Sequence, residues 1–424
     1  MAKTTDHLGR PIVAVTGIGV ITSLGQGVVD NWAALTSGRS GVHPISRFPV
    51  DHLATTIAGT VDFLASSDKG ASALTYELSE LTGLEAISRA GLNVDDFSGP
   101  LMLASPPVEL DWHDRFRLYN EADLDLPEYE RLLAAAREHP DSRMHDSTQF
   151  GSIADRLADR FGTRGLPVTV STACASGATA IQLGVEAIRR GEADRALSIG
   201  SDGSATAEAL IRFSLLSALS TSNDNPQKAS KPFSRDRDGF VLAEGSAALV
   251  LESLESARAR GAKILGIVAG CGEKADDFHR TRSKPDASPA IGTVRAAIAD
   301  AGLGEDGIDY INAHGTSTPE NDKMEHLALS TVFGERLKSM PVSSNKSMIG
   351  HTLSAAGAVE AAFSILTMTE GVIAPTINYD QPDPSIELDV VPNVKRQAEV
   401  STVLSNSFGF GGQNACLVMA REPG

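Results

Sequence analysis

Cysteine is scarce in this sequence, and its scarcity excludes two kinds of stabilising site. The 424 residues include three cysteines, Cys174, Cys271 and Cys416, and no two of them are closely spaced. An odd number of widely separated cysteines fits neither a disulfide framework nor a zinc site built on a short Cys spacing. We therefore expect a reducing compartment, and the cytoplasm is the predicted location.

Basic residues and long apolar runs are also in short supply. The chain has 37 Lys and Arg residues against 54 Asp and Glu residues, a formal net charge of −17. This acidity argues against binding to nucleic acid or to anionic membranes. No apolar stretch is long enough to span a bilayer. The first apolar run, residues 11–24, contains glycines and lacks a basic leader, so we interpret it as a strand that runs into a glycine turn and not as a signal peptide.

Apolar residues are plentiful enough for a large core. They make up 42% of the chain, and a chain of this length predicts more than one folding unit. Helical patterns such as residues 176–190 alternate with short segments that predict buried strands, at residues 12–15, 167–170, 195–199 and 246–251. This alternation predicts an α/β protein whose sheets are largely covered.

The two parts of the chain resemble each other in outline. Small-residue segments at 171–178 and 350–358 each follow a short strand and begin a helix, which indicates an internal duplication. We place the boundary after the Arg/Ala-rich helix that starts at Ser253, so the predicted halves are residues 1–260 and 261–424.

Residues 109–145 fit the α/β pattern poorly. They are dense in charged and aromatic residues and contain a helical pattern around residues 128–138. We interpret this segment as an excursion from the core. Long excursions in enzymes often carry function, and a plain surface insertion is the alternative.

Cys174 has surroundings that a packed core cysteine does not need. It follows the strand predicted at residues 167–170 and begins a predicted helix among small residues. A helix N-terminus favours a thiolate and offers backbone N–H groups to a developing oxyanion. These features indicate a nucleophile at Cys174, whereas Cys271 and Cys416 are interpreted as core residues.

Two histidines and a lysine occupy comparable places in the second half. His314 lies among small residues after an apolar segment, where its ring can face open space or form a hydrogen bond with Asn312 or Thr316. Lys346 and His351 lie just before an apolar helical pattern, which is an unusual place for a surface lysine.

A glycine-rich segment near the C-terminus contains two phenylalanines. Residues 406–412 place Phe408 and Phe410 among three glycines. Such a segment can adopt unusual backbone angles and form a movable aromatic lid. A phosphate-binding loop is the alternative, but no Lys-Ser or Lys-Thr pair follows the glycines.

Taken together, these segments resemble the β-ketoacyl-[acyl-carrier-protein] synthases of the elongating type, condensing enzymes of fatty-acid synthesis. The resemblance covers most of the chain and includes a further match at residues 231–241. It implies the thiolase fold, in which duplicated α/β halves form a five-layer αβαβα sandwich. It also implies an acyltransferase that joins a cysteine-bound acyl chain to malonyl-ACP, releases CO2 and yields 3-oxoacyl-ACP.

The resemblance implies a role for each motif. Cys174 accepts the acyl group, and its backbone N–H and that of Phe410 form the oxyanion hole. His314 and His351 donate hydrogen bonds, as neutral imidazoles, to the thioester oxygen where negative charge develops. Lys346 holds one of these histidines in place.

Other residues match supporting positions of the same family. The supporting acidic residues are Glu360, Asp322 and Glu325, the contacts to the pantetheine arm are Thr316 and Thr318, and the gate is formed by Phe408 and Phe410. No metal or redox cofactor is implied, because the phosphopantetheine arrives on the carrier protein. The implied partners are an acyl carrier protein, acyl and malonyl thioesters, and a second copy of the chain in a homodimer.

Three features depart from the family pattern. Residues 101–110 replace a glycine-rich segment that usually borders the acyl pocket, so we expect a reshaped pocket. Residues 65–84, which match the usual carrier-docking surface, contain Lys69 as their one basic residue, and Ser217 and Ser222 replace two arginines. Because carrier docking relies on opposite charge, the sequence predicts a dedicated carrier or a specialised chain, very long or modified.

Three alternatives remain beside this interpretation. A polyketide-type ketosynthase uses the same residues on another pathway. A thiolase is disfavoured, because its second catalytic cysteine lies in a C-terminal glycine-rich motif and Cys416 lies inside the final predicted strand. A non-catalytic chain-length subunit of a heterodimer is disfavoured because such subunits typically lose the nucleophile, and Cys174 is present.

Overall fold

The main strands of the first half form a mixed sheet, and its helices pack against them. The computed structural model describes residues 3–65, 69–107, 109–121, 125–138, 140 and 142–423. The strands of this half are β1 (Val13–Thr22), β2 (Gly25–Gln26), β3 (His43–Pro44), β4 (Ile57–Ala58), β5 (Leu101–Ala104), β6 (Val168–Val170), β7 (Arg195–Asp202) and β8 (Gly245–Ser253). Its helices are α1 (Val28–Thr36), α2 (Ala71–Arg89), α3 (Trp112–Glu121), α4 (Glu128–Glu138), α5 (Ser142–Thr148), α6 (Ser152–Phe161), α7 (Ser176–Arg189), α8 (Ala207–Leu215) and α9 (Leu254–Ala259).

The second half is also built of strands and helices, and the structure describes fewer helices in it than in the first half. Its strands are β9 (Gly266–Ala275), β10 (Tyr310–Asn312), β11 (Pro341–Ser343), β12 (Val372–Ile373), β13 (Asp389–Val390), β14 (Arg396–Gln397), β15 (Thr402–Phe408) and β16 (Gln413–Ala420). Its helices are α10 (Ser288–Asp300), α11 (Pro319–Phe333), α12 (Lys346–Ile349) and α13 (Ala356–Glu370). Short 3-10 helices lie at Pro226–Lys228, Glu305–Gly307, Gly334–Ser339 and Leu353–Ala355.

The main strands of both halves follow the same pairing pattern. In the first half, β8 pairs antiparallel with β1 and β7, and β5 pairs in parallel with β7 and β6. In the second half, β16 pairs antiparallel with β9 and β15, and β10 pairs in parallel with β15 and β11. These five strands of each half correspond one to one, which confirms the predicted duplication. The halves join where Val13–Val15 of β1 pair with Gly266–Val268 of β9.

Helices α7 and α13 form the central layer between the two halves of the sheet. The helices approach so closely that a Cβ on Gly177 would lie 2.6 Å from the backbone N of Ala358. A Cβ on Gly357 would lie equally close, at 2.6 Å, to the backbone N of Ala178. The contact is reciprocal because each helix belongs to one copy of the repeated unit, and glycine is required on both sides.

Three buried clusters define five layers. The central cluster joins α7 and α13 to the inner faces of both sheet halves. A second cluster joins α2 and α6 to the outer face of the first half, and a third joins α10 and α11 to the outer face of the second half. Leu249 and Leu251 face the central helices, whereas Ala248 and Val250 face outwards, as the two-residue period of β8 requires. The predicted αβαβα arrangement is thereby confirmed.

Strand β1 is longer than the sequence predicts. The prediction ended the strand in a turn at the first glycines, but Gly17 and Gly19 continue the pairing with β8. A Cβ on Gly17 would lie 2.1 Å from the carbonyl oxygen of Ala86, and one on Gly19 would lie 2.1 Å from that of Thr82. These glycines serve the close packing of α2 on the strand and do not form a turn.

The described part of residues 109–145 contains α3, α4 and the start of α5, and residues 122–124, 139 and 141 lie outside the described residues. Helix α4 matches the helical pattern predicted around residues 128–138. Arg131 of α4 lies over the ring of Tyr119 of α3, 4.2 Å from its centroid. Glu109 at the start of the excursion forms an ion pair with Arg212 of α8, so the segment is tied to the first half of the protein. In the described part of the chain, no helix has both the length and the apolar character that crossing a bilayer requires.

Candidate active site

Cys174 lies in a strained turn between β6 and α7. The preceding residue, Ala173, has a positive φ of 50°, a conformation that costs free energy in a residue with a Cβ. Ser176 holds the turn, because its Oγ accepts a hydrogen bond from the N–H of Thr172 (2.8 Å) and donates one to the carbonyl of Ala173 (2.6 Å). The thiol is therefore presented at the N-terminal end of α7, as the sequence predicts.

The fold brings the thiol and the two predicted histidines together. One donor atom each from Cys174, His314 and His351 lies within 4.8 Å of the others, and all three residues are buried. The two imidazole rings are perpendicular, at 85°, with centroids 5.3 Å apart. The alternative of a structural His314 bonded to Asn312 or Thr316 is not observed among the described residues. The Asn312 amide donates to Asn345, Ser364 and the Glu360 carbonyl, and the Thr316 hydroxyl pairs with that of Thr318.

Both imidazoles are held neutral with a definite orientation. Burial, together with the charge of Lys346, lowers the pKa of each ring well below its usual value. Nδ1 of His351 accepts a hydrogen bond from the N–H of Leu353 (3.3 Å), so the proton of the neutral ring is on Nε2. Nδ1 of His314 lies 3.3 Å from Nζ of Lys346, which assigns its proton to Nε2 in the same way.

Lys346 lies in α12 behind the histidines and is fully buried. Its ammonium group donates to the carbonyl of His314 (2.7 Å) and forms an ion pair with Oε1 of Glu360. Burial raises the pKa of Glu360 to about 7, although Lys346 acts against this shift. The burial of Lys346 excludes the surface-lysine alternative and places the Lys346–Glu360 ion pair beside His314.

Glu325 supports the turn that carries His314. Its two carboxylate oxygens accept from the N–H groups of His314 (2.8 Å) and Gly315 (2.8 Å), and Asn406 donates to it as well (3.0 Å). Burial raises the pKa of this carboxyl. The carboxylate therefore holds the backbone of the turn and not the imidazole itself.

Asp322 acts on another segment. Its Oδ2 accepts from the N–H of Phe233 (2.8 Å) and lies 3.5 Å from the guanidinium of Arg237. Burial raises the pKa of Asp322. The contacts show that Asp322 stabilises the loop around residues 231–237, which is the fifth segment of the predicted resemblance.

The protonation state of Cys174 differs from the expected one. A helix N-terminus favours a thiolate, but burial raises the pKa of this thiol to about 11, against a smaller lowering by the Phe410 N–H and Lys346. Desolvation is thus the larger influence on this thiol. The resting group at neutral pH is therefore a thiol, hydrogen-bonded by the Phe410 N–H.

Two phenylalanines and a glycine line the space in front of Cys174. Phe408 ends β15, and its ring lies 5.8 Å from that of His314 at an angle of 73°. A Cβ on Gly409 would lie 3.3 Å from the backbone N of Cys174, so glycine keeps this N–H accessible. The N–H groups of Cys174 and Phe410 therefore border one small space, which suits a tetrahedral oxyanion.

Two cavities meet at the thiol. The first cavity, of about 350 Å³, leads from Cys174 past Thr316 and Thr318 to the surface at residues 279–283. The hydroxyls of Thr316 and Thr318 are 2.8 Å apart, and Thr318 also caps α11. The second cavity, of about 360 Å³, leads from Cys174 towards residues 106–107, residues 109–111 and α8. The segment predicted to reshape an acyl pocket thus borders the second cavity.

The sequence did not single out several residues of the site. Asp202 ends β7, and its Oδ2 accepts from the N–H of Ser354 (3.0 Å) in the turn after His351. Its position at the carboxyl end of a strand is the signal that could have identified it. The carbonyl of Arg280 accepts from the N–H of Gly411 (2.7 Å), and this contact between two distant loops has no signal in the sequence.

A buried thiol and two neutral imidazoles between two cavities define a thiol acyltransferase of the condensing type on a thiolase fold. The chain matches the family models "Beta-ketoacyl synthase, N-terminal domain" over residues 11–257 and "Beta-ketoacyl synthase, C-terminal domain" over residues 265–380. It belongs to the beta-ketoacyl synthase family, and the predicted family and enzyme class are confirmed.

The similarity to known proteins extends over almost the whole chain. The chain is 35% identical to the 3-oxoacyl-[acyl-carrier-protein] synthase 2 of Coxiella burnetii, covering 96% of this chain and 98% of that protein. It is 38% identical to the tetracenomycin polyketide synthase ketoacyl synthase alpha subunit of Streptomyces glaucescens, covering 98% of both. A solved structure of a type II PKS acyl-carrier protein in complex with its ketosynthase bound to the hexaketide matches with a TM-score of 0.86 and 31% identity, covering 97% of this chain and 100% of that one.

Proposed function

We propose that this protein is a β-ketoacyl-ACP synthase in which Cys174 carries the growing acyl chain and His314 and His351 promote the decarboxylative condensation. The observation that carries the proposal is the convergence of one thiol and two neutral imidazoles at the junction of two cavities. One cavity suits the pantetheine arm of the carrier, and the other suits the acyl chain.

The first step transfers the acyl group to the protein. Sγ of Cys174 attacks the carbonyl of the acyl thioester, the oxyanion lies between the N–H groups of Cys174 and Phe410, and the carrier sulfur leaves. The proton of the Cys174 thiol ends on the departing carrier thiol, so no external base is consumed. A raised thiol pKa is compatible with this step because the thiol ionises only as the new bond forms.

The second step forms the new carbon–carbon bond. Malonyl carrier loses CO2, and the electrons of the broken bond form an enolate whose oxygen accepts hydrogen bonds from Nε2–H of His314 and His351. The enolate carbon attacks the acyl carbonyl on Cys174, the carbon–sulfur bond breaks, and the sulfur leaves as a thiolate that takes up one proton from solvent water. Lys346, with Glu360, keeps His314 in the required tautomer.

The carrier and its arm are proposed from the same geometry. Thr316 and Thr318 lie along the first cavity, where their hydroxyls can contact a pantetheine arm. The phosphopantetheine enters as part of the substrate. Because Lys69 is the one basic residue of residues 65–84, we propose a dedicated carrier. Comparable turnover of a housekeeping carrier with medium-chain primers would contradict this.

A second copy of the chain is the proposed oligomeric partner. β6 is the last strand at one edge of the sheet, and Val168 on it is 37% exposed while nearby Leu166 is 91% exposed. An open sheet edge with exposed apolar side chains suits pairing with another copy.

We also propose the boundary between the halves at residues 260 and 261, and a cytoplasmic location, which the three free thiols support.

Intact-mass spectrometry tests the proposed function. Purified protein incubated with acyl carrier should gain one acyl mass, and addition of malonyl carrier should release 3-oxoacyl carrier and CO2. Cys174→Ala should gain no acyl mass, while Cys271→Ala, which replaces another buried thiol, should gain it normally. An acyl adduct that persists in Cys174→Ala would refute the assigned nucleophile.

A polyketide-type ketosynthase is the second candidate function. The 38% identity to a polyketide ketoacyl synthase alpha subunit favours it. The chemistry at Cys174 is the same in both cases, and the products distinguish them. Repeated condensation without keto reduction would indicate the polyketide type, whereas a single condensation per chain would indicate the fatty-acid type. The absence of any acyl adduct would instead support the non-catalytic subunit.

A further inference from the structure

The second cavity ends among polar groups. A small adjoining cavity, of about 60 Å³, does not reach Cys174 but shares four residues with the second cavity: Ala71, Asp111, Thr206 and Glu208. These four residues therefore lie where the second cavity adjoins a cavity that Cys174 does not line. Two of them carry carboxylates, which is unexpected for the end of a plain hydrocarbon pocket.

One carboxylate oxygen of Glu208 lacks a hydrogen-bond donor among the described residues. This oxygen, Oε1, is buried. The other acidic groups differ: Glu109 pairs with Arg212 and Arg115, and Asp111 accepts from the N–H of Ala71 (3.4 Å). A buried acceptor without a donor is destabilising, and native proteins seldom keep one without a reason. A donor supplied by the ligand would satisfy it.

The path to Glu208 begins in an apolar neck. Besides Cys174, both main cavities are lined by Phe213, Leu216, Leu353 and Phe410. An ammonium group passing this neck would lose its hydration at high cost, whereas a hydroxyl loses much less. The neck therefore favours an uncharged donor over a charged one.

We propose that the second cavity selects an acyl chain that carries a hydroxyl group near its distal end, and that Glu208 accepts the hydrogen bond from this hydroxyl. The inference rests on the proposed condensing function and specifies its substrate class. The hydroxyl satisfies Oε1 of Glu208, and the methylene groups before it contact the apolar neck. A plain chain of the same length would leave the buried oxygen unsatisfied.

Acylation of Cys174 by matched primers tests the inference. Thioester primers of increasing length are compared in pairs, with and without a terminal hydroxyl, and acyl-Cys174 formation is followed by intact mass. At the length that reaches Glu208, the hydroxylated primer should acylate about tenfold faster, the factor that one hydrogen bond typically contributes. Terminally aminated primers should be slower than hydroxylated ones.

Substitutions at two equivalent helix positions separate recognition of the hydroxyl by Glu208 from the general effect of losing a negative charge. Glu208 is the second residue of α8, and Glu255, which lines neither of the two main cavities, is the second residue of α9. Glu208→Leu should abolish the preference for the hydroxyl, Glu208→Gln should keep most of it, and Glu255→Leu should leave it unchanged.

The outcomes distinguish this inference from the proposed function. Equal acylation by plain and hydroxylated primers at every length, or an unchanged preference in Glu208→Leu, overturns the inference while acylation itself upholds the nucleophile. A preference for the aminated primer also overturns it. Failure of every primer, including short ones that do not reach Glu208, contradicts the proposed function instead. A normal rate with the short primer shows that each variant is folded.

Discussion

The ammonium of Lys346 and the carboxylate of Glu360 form an ion pair in the interior, where each side chain is 1% exposed. The same ammonium contacts Nδ1 and the carbonyl of His314. A charge taken out of water needs its partner, so neither residue can be removed alone without leaving the other unpaired. The pair therefore links the orientation of a site imidazole to the stability of the core.

Lys346→Met should affect both properties. The substitution leaves Glu360 without its cation, and we expect a loss of about 3–5 kcal/mol in the free energy of unfolding. Condensation should fall at least 100-fold, to order of magnitude, because the tautomer of His314 is no longer held. Chemical denaturation and product formation measure the two effects.

A double variant separates these effects. Lys346→Met combined with Glu360→Gln removes both charges, so most of the lost stability should return while condensation stays low. Restored activity in the double variant would show that Lys346 has only a structural role.

The alkylation of Cys174 should depend steeply on pH. Burial raises the pKa of this thiol to about 11, and the thiolate is the reactive form. Below that value the thiolate fraction rises with pH, so the rate of reaction with iodoacetamide should increase about tenfold per pH unit from neutral pH upwards. Mass spectrometry of the Cys174 peptide gives the rate. A plateau near neutral pH would contradict the raised pKa and would indicate a resting thiolate.

His351→Asn should separate decarboxylation from acyl transfer. In the proposed second step the imidazole donates to the enolate oxygen, so CO2 release should fall about 100- to 1000-fold. Acylation of Cys174 should change only a few-fold, because the oxyanion of the first step lies at backbone N–H groups. His326→Asn, at a histidine of α11 outside the site, is the control. Equal losses in both steps would refute the division of roles.

The same two histidines predict a flat pH dependence of decarboxylation. Burial lowers the pKa of His314 and of His351 well below the usual value. Both rings therefore stay neutral as pH falls through about 6.5, where an exposed histidine would become charged. The rate of CO2 release should be constant through this range, and a decline near pH 6.5 would show that one ring titrates there.

Gly177→Ala should destabilise the protein through the central layer. The added Cβ would lie 2.6 Å from the backbone of Ala358, and overpacking of this kind typically costs about 1–3 kcal/mol. Gly292→Ala is the matched control, because Gly292 also lies in a helix and its Cβ would meet only the flexible side chain of Lys274, at 3.5 Å. The control should be neutral or stabilising by up to about 1 kcal/mol. Equal stability of the two variants by chemical denaturation would contradict the close contact of α7 and α13.

Local sequence patterns predicted the strands and helices that carry the site residues better than they predicted the tertiary contacts around them. The strand and helix around Cys174 lie at β6 and α7 as predicted, because small residues and a β-branched run act over a few residues. The end predicted for β1 was wrong, because Gly17 and Gly19 look like turn residues until α2 is packed against them. The proposed role of Glu208 could not be predicted from the sequence. Whether a carboxylate oxygen lacks a hydrogen-bond partner depends on the residues that the fold packs around it.

The sequence by itself determined the chemical groups and their order along the chain, namely one thiol, two imidazoles and an ammonium on small-residue turns, together with the duplicated α/β halves. Only the tertiary structure decided the state in which these groups work. It brings Cys174, His314 and His351 within 4.8 Å of one another, and it buries them. Burial raises the pKa of the thiol to about 11 and lowers the pKa of the imidazoles. Desolvation depends on every neighbouring atom, and the neighbours of these residues come from distant parts of the chain.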